Sequence, residues 1–453
     1  MPLRRTPRTL LAVPVSLALL GLAPGGSQAP TPPAEDALLR LLVARTGAPA
    51  AALLAQEETD AHYAEAQLAP PTAQAAAESR SATRSTTEAT DPATGPSRAT
   101  ATSTVPLARI ANSTGTGTST STAATSATTN AADTETSTGT VAQSRTQSRT
   151  QPQTQPETDT APTSPAVQTG QAIRPADHFR AGSITKTFIA TVVLQLAAEH
   201  RLSLSDSVDD HLPGLVRGPG ADGRDITLRQ LLTHTSGLAD FTTVTQGAVP
   251  LTPRQAVRIA LHLPPGHRGR FAYSSTNYVV LGMVIQQVTG DSYATEAERR
   301  IINPLHLTGT SFPGTRTTLP SPHGRAYSAD GSDVTELDPR VAGAAGELVT
   351  TLADLDRFYA ALLGGGLLPS HWLHEMLDTR TAHGSYGMGI YPTKLPCGTT
   401  VWGHNGRISG SYVRTAATLD GRRVLTYRAD TDAVNAPGLE RDLLSAEFCP
   451  RTS

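Results

Sequence analysis

Ser183 and Lys186, three residues apart, are the two side chains in this sequence best suited to chemistry. The chain has 37 Lys plus Arg, and only Lys186 and Lys394 are lysines, so arginine serves almost wherever a surface cation is needed. Arginine cannot release its proton inside a protein, whereas a lysine taken out of water can be neutral near pH 7. A lysine retained here points to a proton-accepting task. Positions i and i+3 of a helix share a face, so amine and hydroxyl can meet. Phe188, Val192 and Leu196 recur at helical spacing and predict a mostly buried helix over 183–200 that opens at the serine. The positive end of its dipole favours negative charge on the serine oxygen. A nucleophile with a base beside it is what acyl transfer requires. The competing reading is a surface lysine near a helix start, and the scarcity of lysine and the apolar neighbours weigh against it.

The elements that must hold this pair are legible around it. Glu35–Arg45 reads as a short amphipathic helix and Ala50–Ala55 as a buried strand. Thr227-x-x-Gln230 and Thr252-Pro253-x-Gln255 are capping boxes that open two helices. Helices are expected over 276–288, closed by Gly290, and over 352–363, stopped by three glycines. Asp420-Gly421 between two apolar runs predicts a hairpin, and a last helix runs from about Leu439 to Phe448. Strands at both ends with helices between them predict an α+β fold: an antiparallel sheet flanked by helices, plus a helical subdomain.

The chain is 453 residues long, with 38% hydrophobic and 4% aromatic residues. That deficit is local. Residues 57–165 are mostly Ser, Thr, Ala, Gln and Gly, cannot repay their ordering entropy, and are expected to be a disordered insertion, with Val105–Ile110 its one candidate strand. Residues 1–29 resemble a signal peptide: Arg4, Arg5 and Arg8, an apolar run from Leu10 to Leu22, and Ser27-Gln28-Ala29 at the cut. The expected organisation is a signal peptide (1–29), a helix and first strand (30–56), the insertion (57–165) and a catalytic domain (166–453). A secreted or cell-wall-associated monomer without an integral membrane segment follows, since the apolar run is shorter than the roughly 20 residues a spanning helix needs. A formal net charge of −2 gives no basic footprint for nucleic acid. Outside the cytoplasm the lone pair Cys397 and Cys449 favours a disulfide over two free thiols, and it is too small a ligand set for a metal. No cofactor is expected.

Five segments in order resemble a known family: Phe179-Arg180-Ala181-Gly182-Ser183-Ile184-Thr185-Lys186-Thr187-Phe188, Leu231-Leu232-Thr233-His234-Thr235-Ser236-Gly237-Leu238, Tyr273-Ser274-Ser275-Thr276-Asn277-Tyr278, Leu348-Val349-Thr350-Thr351-Leu352-Ala353-Asp354-Leu355 and Gly403-His404-Asn405-Gly406. They are similar to serine D-alanyl-D-alanine carboxypeptidases and class C β-lactamases. The resemblance implies a site between a sheet domain and a helical domain, with Ser183 as nucleophile, Lys186 as base and Tyr273 as a proton relay, if nearby cations tune its phenol. Ser275 stands where the family usually has Asn, and is shorter. His404, Asn405 and Gly406 match the third motif, with His404 a hydrogen-bonding partner rather than a triad base and Gly406 admitting substrate to the strand edge. His234 and Asn277 match structural positions. The amides of Ser183 and Arg407 are implied as the oxyanion hole, and Arg407, with Lys394 the weaker candidate, as the cation that reads a substrate carboxylate. The implied partner is a D-amino acid peptide or a β-lactam. The alternatives are a β-lactamase, an esterase, or a penicillin-binding protein that acylates poorly or not at all.

Overall fold

The computed structural model describes residues 34–57, 60–68 and 171–450. The segment 1–29, most of the expected insertion and the candidate strand at Val105–Ile110 lie outside them. The described residues form one compact unit.

Its centre is a six-stranded antiparallel sheet of β1 (Ala50–Glu57), β2 (Asp60–Gln67), β3 (Tyr391–Lys394), β4 (Thr400–Ile408), β5 (Ser411–Ala417) and β6 (Arg423–Ala429), in the order β2-β1-β6-β5-β4-β3. The sheet is covered on both faces, so its strands sort their side chains by alternation. In β1, Ala50 and Ala52 join one core, while Ala51, Leu53 and Ala55 join the other. The second core is closed by α1 (Ala34–Thr46), through Leu39, Leu42 and Val43, and by a C-terminal helix (Pro437–Phe448), through Leu443, Leu444 and Phe448. The first and larger core contains the buried α2 (Thr185–Ala198), α3 (Pro253–His262), α4 (Ser275–Thr289) and α5 (Leu352–Leu363); the C-terminal helix is α6.

Both capping boxes are present, with Thr227 and Thr252 each accepting from the backbone amide three residues on. The 420–421 turn joins β5 to β6, and Cys397 is bonded to Cys449. The expected boundary at residue 57 is corrected. Asp60–Gln67, assigned to the insertion by composition, is a full edge strand paired with β1 from Glu57↔Asp60 to Ala50↔Gln67. Its inward residues Ala64 and Ala66 bury only methyl groups. An alanine-rich strand therefore looks like low-complexity text.

Candidate active site

Ser183 lies in a single 3-10 turn, Gly182–Ile184, that runs straight into α2. Gly182 holds a positive φ of 51°, and a Cβ there would lie 2.8 Å from the Arg407 amide nitrogen. Glycine alone lets the turn sit against β4 in this conformation. The contact makes neighbours of the Ser183 and Arg407 amides, the pair suited to an oxyanion. Gly406 serves the same contact rather than the expected approach of substrate, because its added Cβ would lie 1.8 Å from the Ala181 carbonyl oxygen.

Lys186, in the first turn of α2, is fully buried. Its Nζ lies 3.0 Å from Ser183 Oγ, 2.8 Å from the Ala345 carbonyl and 3.5 Å from Ser275 Oγ. Burial lowers its pKa to about 7, with Asp240 acting in the opposite direction. A neutral amine has two donors and one lone pair. Donating to Ala345 and Ser275 leaves the lone pair for the Ser183 hydroxyl proton.

Tyr273 is 39% exposed and opens onto the cleft, with its ring centre 5.0 Å from Lys186 Nζ. The side chains of His234, Tyr386 and Lys186 packed about its ring desolvate the phenol and push it above the usual range, against the pull of a side-chain hydrogen bond with Ser183. The groups that act on this phenol are Ser183, Asp240 and Tyr391 rather than the expected cations, and Tyr273 is a neutral hydroxyl able to pass a proton.

Beneath Tyr273 lies the His234 ring, 4.3 Å away between centres. The amide of Ser274 and the side-chain Nδ2 of Asn277 both donate to His234 Nδ1, at 3.2 and 3.1 Å. The proton must then sit on Nε2, which has no hydrogen-bond partner among the described residues. Burial lowers the His234 pKa well below its ordinary value, so the ring is an uncharged support for Tyr273.

His404 is also buried and neutral, its pKa lowered by burial to about 3. Its Nδ1 donates to the Asn405 carbonyl, and its Nε2 accepts from the Tyr386 hydroxyl at 2.8 Å. It holds the strand in place. Asn405 Oδ1 accepts from Tyr391 at 3.1 Å. The cleft itself, about 350 Å³, is lined by Ser183, Asp240, Tyr273, Ser275, Gly346 and Arg407 among others, and not by His404, Asn405 or Gly406. Arg407 is exposed, and its guanidinium donates to the Val434 carbonyl and lies over the Tyr412 ring. A larger cleft of about 730 Å³ near Arg217 and Pro265 is lined by no residue of this site.

Sequence reasoning missed Asp240 and Tyr386. Asp240 closes the run that begins at Leu231, and an acid at a turn reads first as a cap; indeed it accepts from the Thr242 amide and hydroxyl. Its place in the cleft depends on how residues 234–242 fold over α4. Among the described residues no three His, Cys, Asp or Glu side chains gather as a metal site.

Residues 163–427 match the family model described as Beta-lactamase. The chain is 33% identical over 221 residues to a putative penicillin-binding protein PbpX of Bacillus subtilis, covering 48% of this chain and 54% of that one. It is 31% identical over 219 residues to penicillin-binding protein 4 of Amycolatopsis lactamdurans, covering 44% and 55%. The chain thus spans about half the length of these curated relatives. A solved D-stereospecific amidohydrolase from a Streptomyces species is 31% identical, with a TM-score of 0.63 over 92% of this chain and 98% of that one. The D-amino acid amidase of Ochrobactrum anthropi SV3 shares the fold at 20% identity, with a TM-score of 0.62 over 91% of this chain and 100% of that one. With its serine and lysine joined and its sheet and helices arranged as in these proteins, the chain belongs to the beta-lactamase family of serine hydrolases.

Proposed function

We propose that this protein is an exported D-alanyl-D-alanine-type carboxypeptidase working through an acyl-enzyme on Ser183. The observation that carries the proposal is the buried Lys186 amine, with a pKa near 7, placed 3.0 Å from Ser183 Oγ. Lys186 takes the hydroxyl proton as Oγ attacks the substrate carbonyl. The amides of Ser183 and Arg407 receive the developing oxyanion. The carbon–nitrogen bond then breaks, and the proton passes from Lys186, by way of the Tyr273 hydroxyl, to the leaving amine. Water attacks the resulting ester and gives a proton to the Lys186 amine, which returns one to Ser183 Oγ as the acyl carbon–oxygen bond breaks and the acid leaves. The likeness to penicillin-binding proteins supports D-configured peptides and β-lactams as acyl donors. Arg407 at the rim of the cleft supports recognition of a terminal carboxylate.

Asp240 favours a second reading. A carboxylate in the cleft suits a substrate with a free ammonium on the acyl side, and the Streptomyces relative is a D-stereospecific amidohydrolase. Export is supported by the 1–29 segment of the sequence and by the Cys397–Cys449 bond, which suits an oxidising compartment.

A substrate panel tests these proposals. The carboxypeptidase proposal expects the highest kcat/KM on an N-acylated peptide ending in free D-Ala. Arg407→Ala should then cost about 10- to 150-fold on that peptide and little on its C-terminal amide. Preference for an unacylated D-amino acid amide, lost in Asp240→Asn, would overturn it in favour of the amidase. The amino-terminal sequence of the protein recovered from culture medium tests export.

A further inference from the structure

Behind the cleft wall formed by residues 341–346 lies a separate apolar cavity of about 280 Å³. Phe241, Leu251, Ala256, Val279, Met283 and Ala344 supply its apolar lining. One acid stands among them. Glu347 is 4% exposed, lines the cavity, and accepts from the Tyr293 hydroxyl through Oε1 at 2.6 Å. Among the described residues no protein donor reaches its second oxygen. Arg340 at the mouth is already held by Asp338 through both carboxylate oxygens. A buried carboxyl with a free oxygen in an apolar chamber calls for a positive donor. The chamber calls for hydrocarbon.

The segment bearing Glu347 is bonded to the catalytic machinery on both sides of it. Two residues earlier, the Ala345 carbonyl accepts from Lys186 Nζ at 2.8 Å. One residue later, the Leu348 carbonyl accepts from the Ala181 amide at 2.8 Å, and the Leu348 amide donates to Thr185 Oγ1 at 3.1 Å. Gly346 faces the Gly182 backbone. We propose that this cavity is an effector site for a small apolar primary amine, whose ammonium pairs with Glu347 and whose presence is felt at Ser183 and Lys186 through residues 345–348. An occupant packed against Ala344 adds contacts to this wall, and so favours the arrangement in which Ala345 holds the lysine.

The probe is 2-phenylethylamine, with 2-phenylethanol as its uncharged counterpart, at pH 8. That lies above the value of about 7 to which burial pushes the Glu347 carboxyl. Calorimetry is run on protein whose Ser183 has first been acylated by a penicillin, so that the catalytic cleft is filled. The amine should bind about tenfold or more tightly than the alcohol, and Glu347→Gln should remove that advantage. Thr315→Trp, an exposed change at the cavity mouth, should block both ligands even if Glu347→Gln proves unstable. On unacylated protein the amine should raise the acylation rate about fivefold or more. Equal binding of amine and alcohol, binding untouched by Thr315→Trp, or binding abolished by acylation would overturn the site. Binding with no change in rate would overturn the coupling. Repeated on Ser183→Ala protein, where no acylation is needed, the binding measurement does not depend on which substrate the enzyme prefers, so its failure is separate from failure of the carboxypeptidase proposal.

Discussion

Gly406 of β4 and Ala181, two residues before Ser183, touch so closely that a methyl group on Gly406 would lie 1.8 Å from the Ala181 carbonyl oxygen. This contact fixes the distance between the serine turn and the strand that faces it. Gly406→Ala should therefore force the two apart and spoil the paired amides of Ser183 and Arg407. Loss of one oxyanion donor typically costs about 100- to 1,000-fold. We expect a loss of that order in acylation by a fluorescent penicillin, in a protein that circular dichroism reports as folded. Acylation within threefold of wild type would show that the contact is slack.

Lys186 gives a pH prediction with a definite sign. In the proposed mechanism its neutral form is the base, so the acylation rate should rise with pH through about 7 and level off above it. Lys186→Arg should be as inactive as Lys186→Ala, because arginine keeps its proton. Stability follows the same group. The folded pKa is depressed from 10.5 to about 7, so between those values the unfolded chain binds more protons and folding gains with rising pH. Lys186→Met should flatten that rise when urea midpoints at pH 7 and pH 9 are compared with those of the wild type.

The pairing of Ser183 with Lys186 and most helices were legible because each rests on local rules: i to i+3 spacing, capping boxes, glycine stops. Four features were not. The strand Asp60–Gln67 buries alanines, which composition cannot tell from spacer. Asp240 enters the cleft only through the path of the chain between residues 234 and 242. Gly406 reads as an opening for substrate until Ala181 is seen against it. Tyr386 meets His404 across 18 residues that carry no repeating pattern. Long-range pairing decides all four.

His234 separates support from chemistry. Its Nδ1 holds the Ser274 amide, and its ring lies under Tyr273. His234→Ala should lower kcat about tenfold or more with little change in KM, since the ring touches neither substrate nor nucleophile. His234 also adopts a φ of 56°, a left-handed conformation that asparagine tolerates. His234→Asn keeps an acceptor and should recover part of kcat; identical losses in both variants would mean that the ring itself is the support.

The Cys397–Cys449 bond closes a loop with a sequence separation of 52, and chain entropy assigns such a bond about 4 kcal/mol. Cys397→Ser with Cys449→Ser should lower the unfolding free energy by roughly that amount while sparing acylation, because the bond lies on the α6 side of the sheet. Urea titration alongside penicillin labelling checks both halves.

The order of the strands also sets a timetable for synthesis. The Ala50 amide meets Asp430 across 380 residues, and β1 has only β6 on its inner side. At about 5 to 20 residues per second, roughly 20 to 75 seconds separate the emergence of those two strands from the ribosome. Throughout that interval the β1–β2 hairpin has an open, apolar edge and nothing to join. The sheet cannot close until β6 has been made, so the nascent polypeptide keeps that edge unpaired through most of its synthesis.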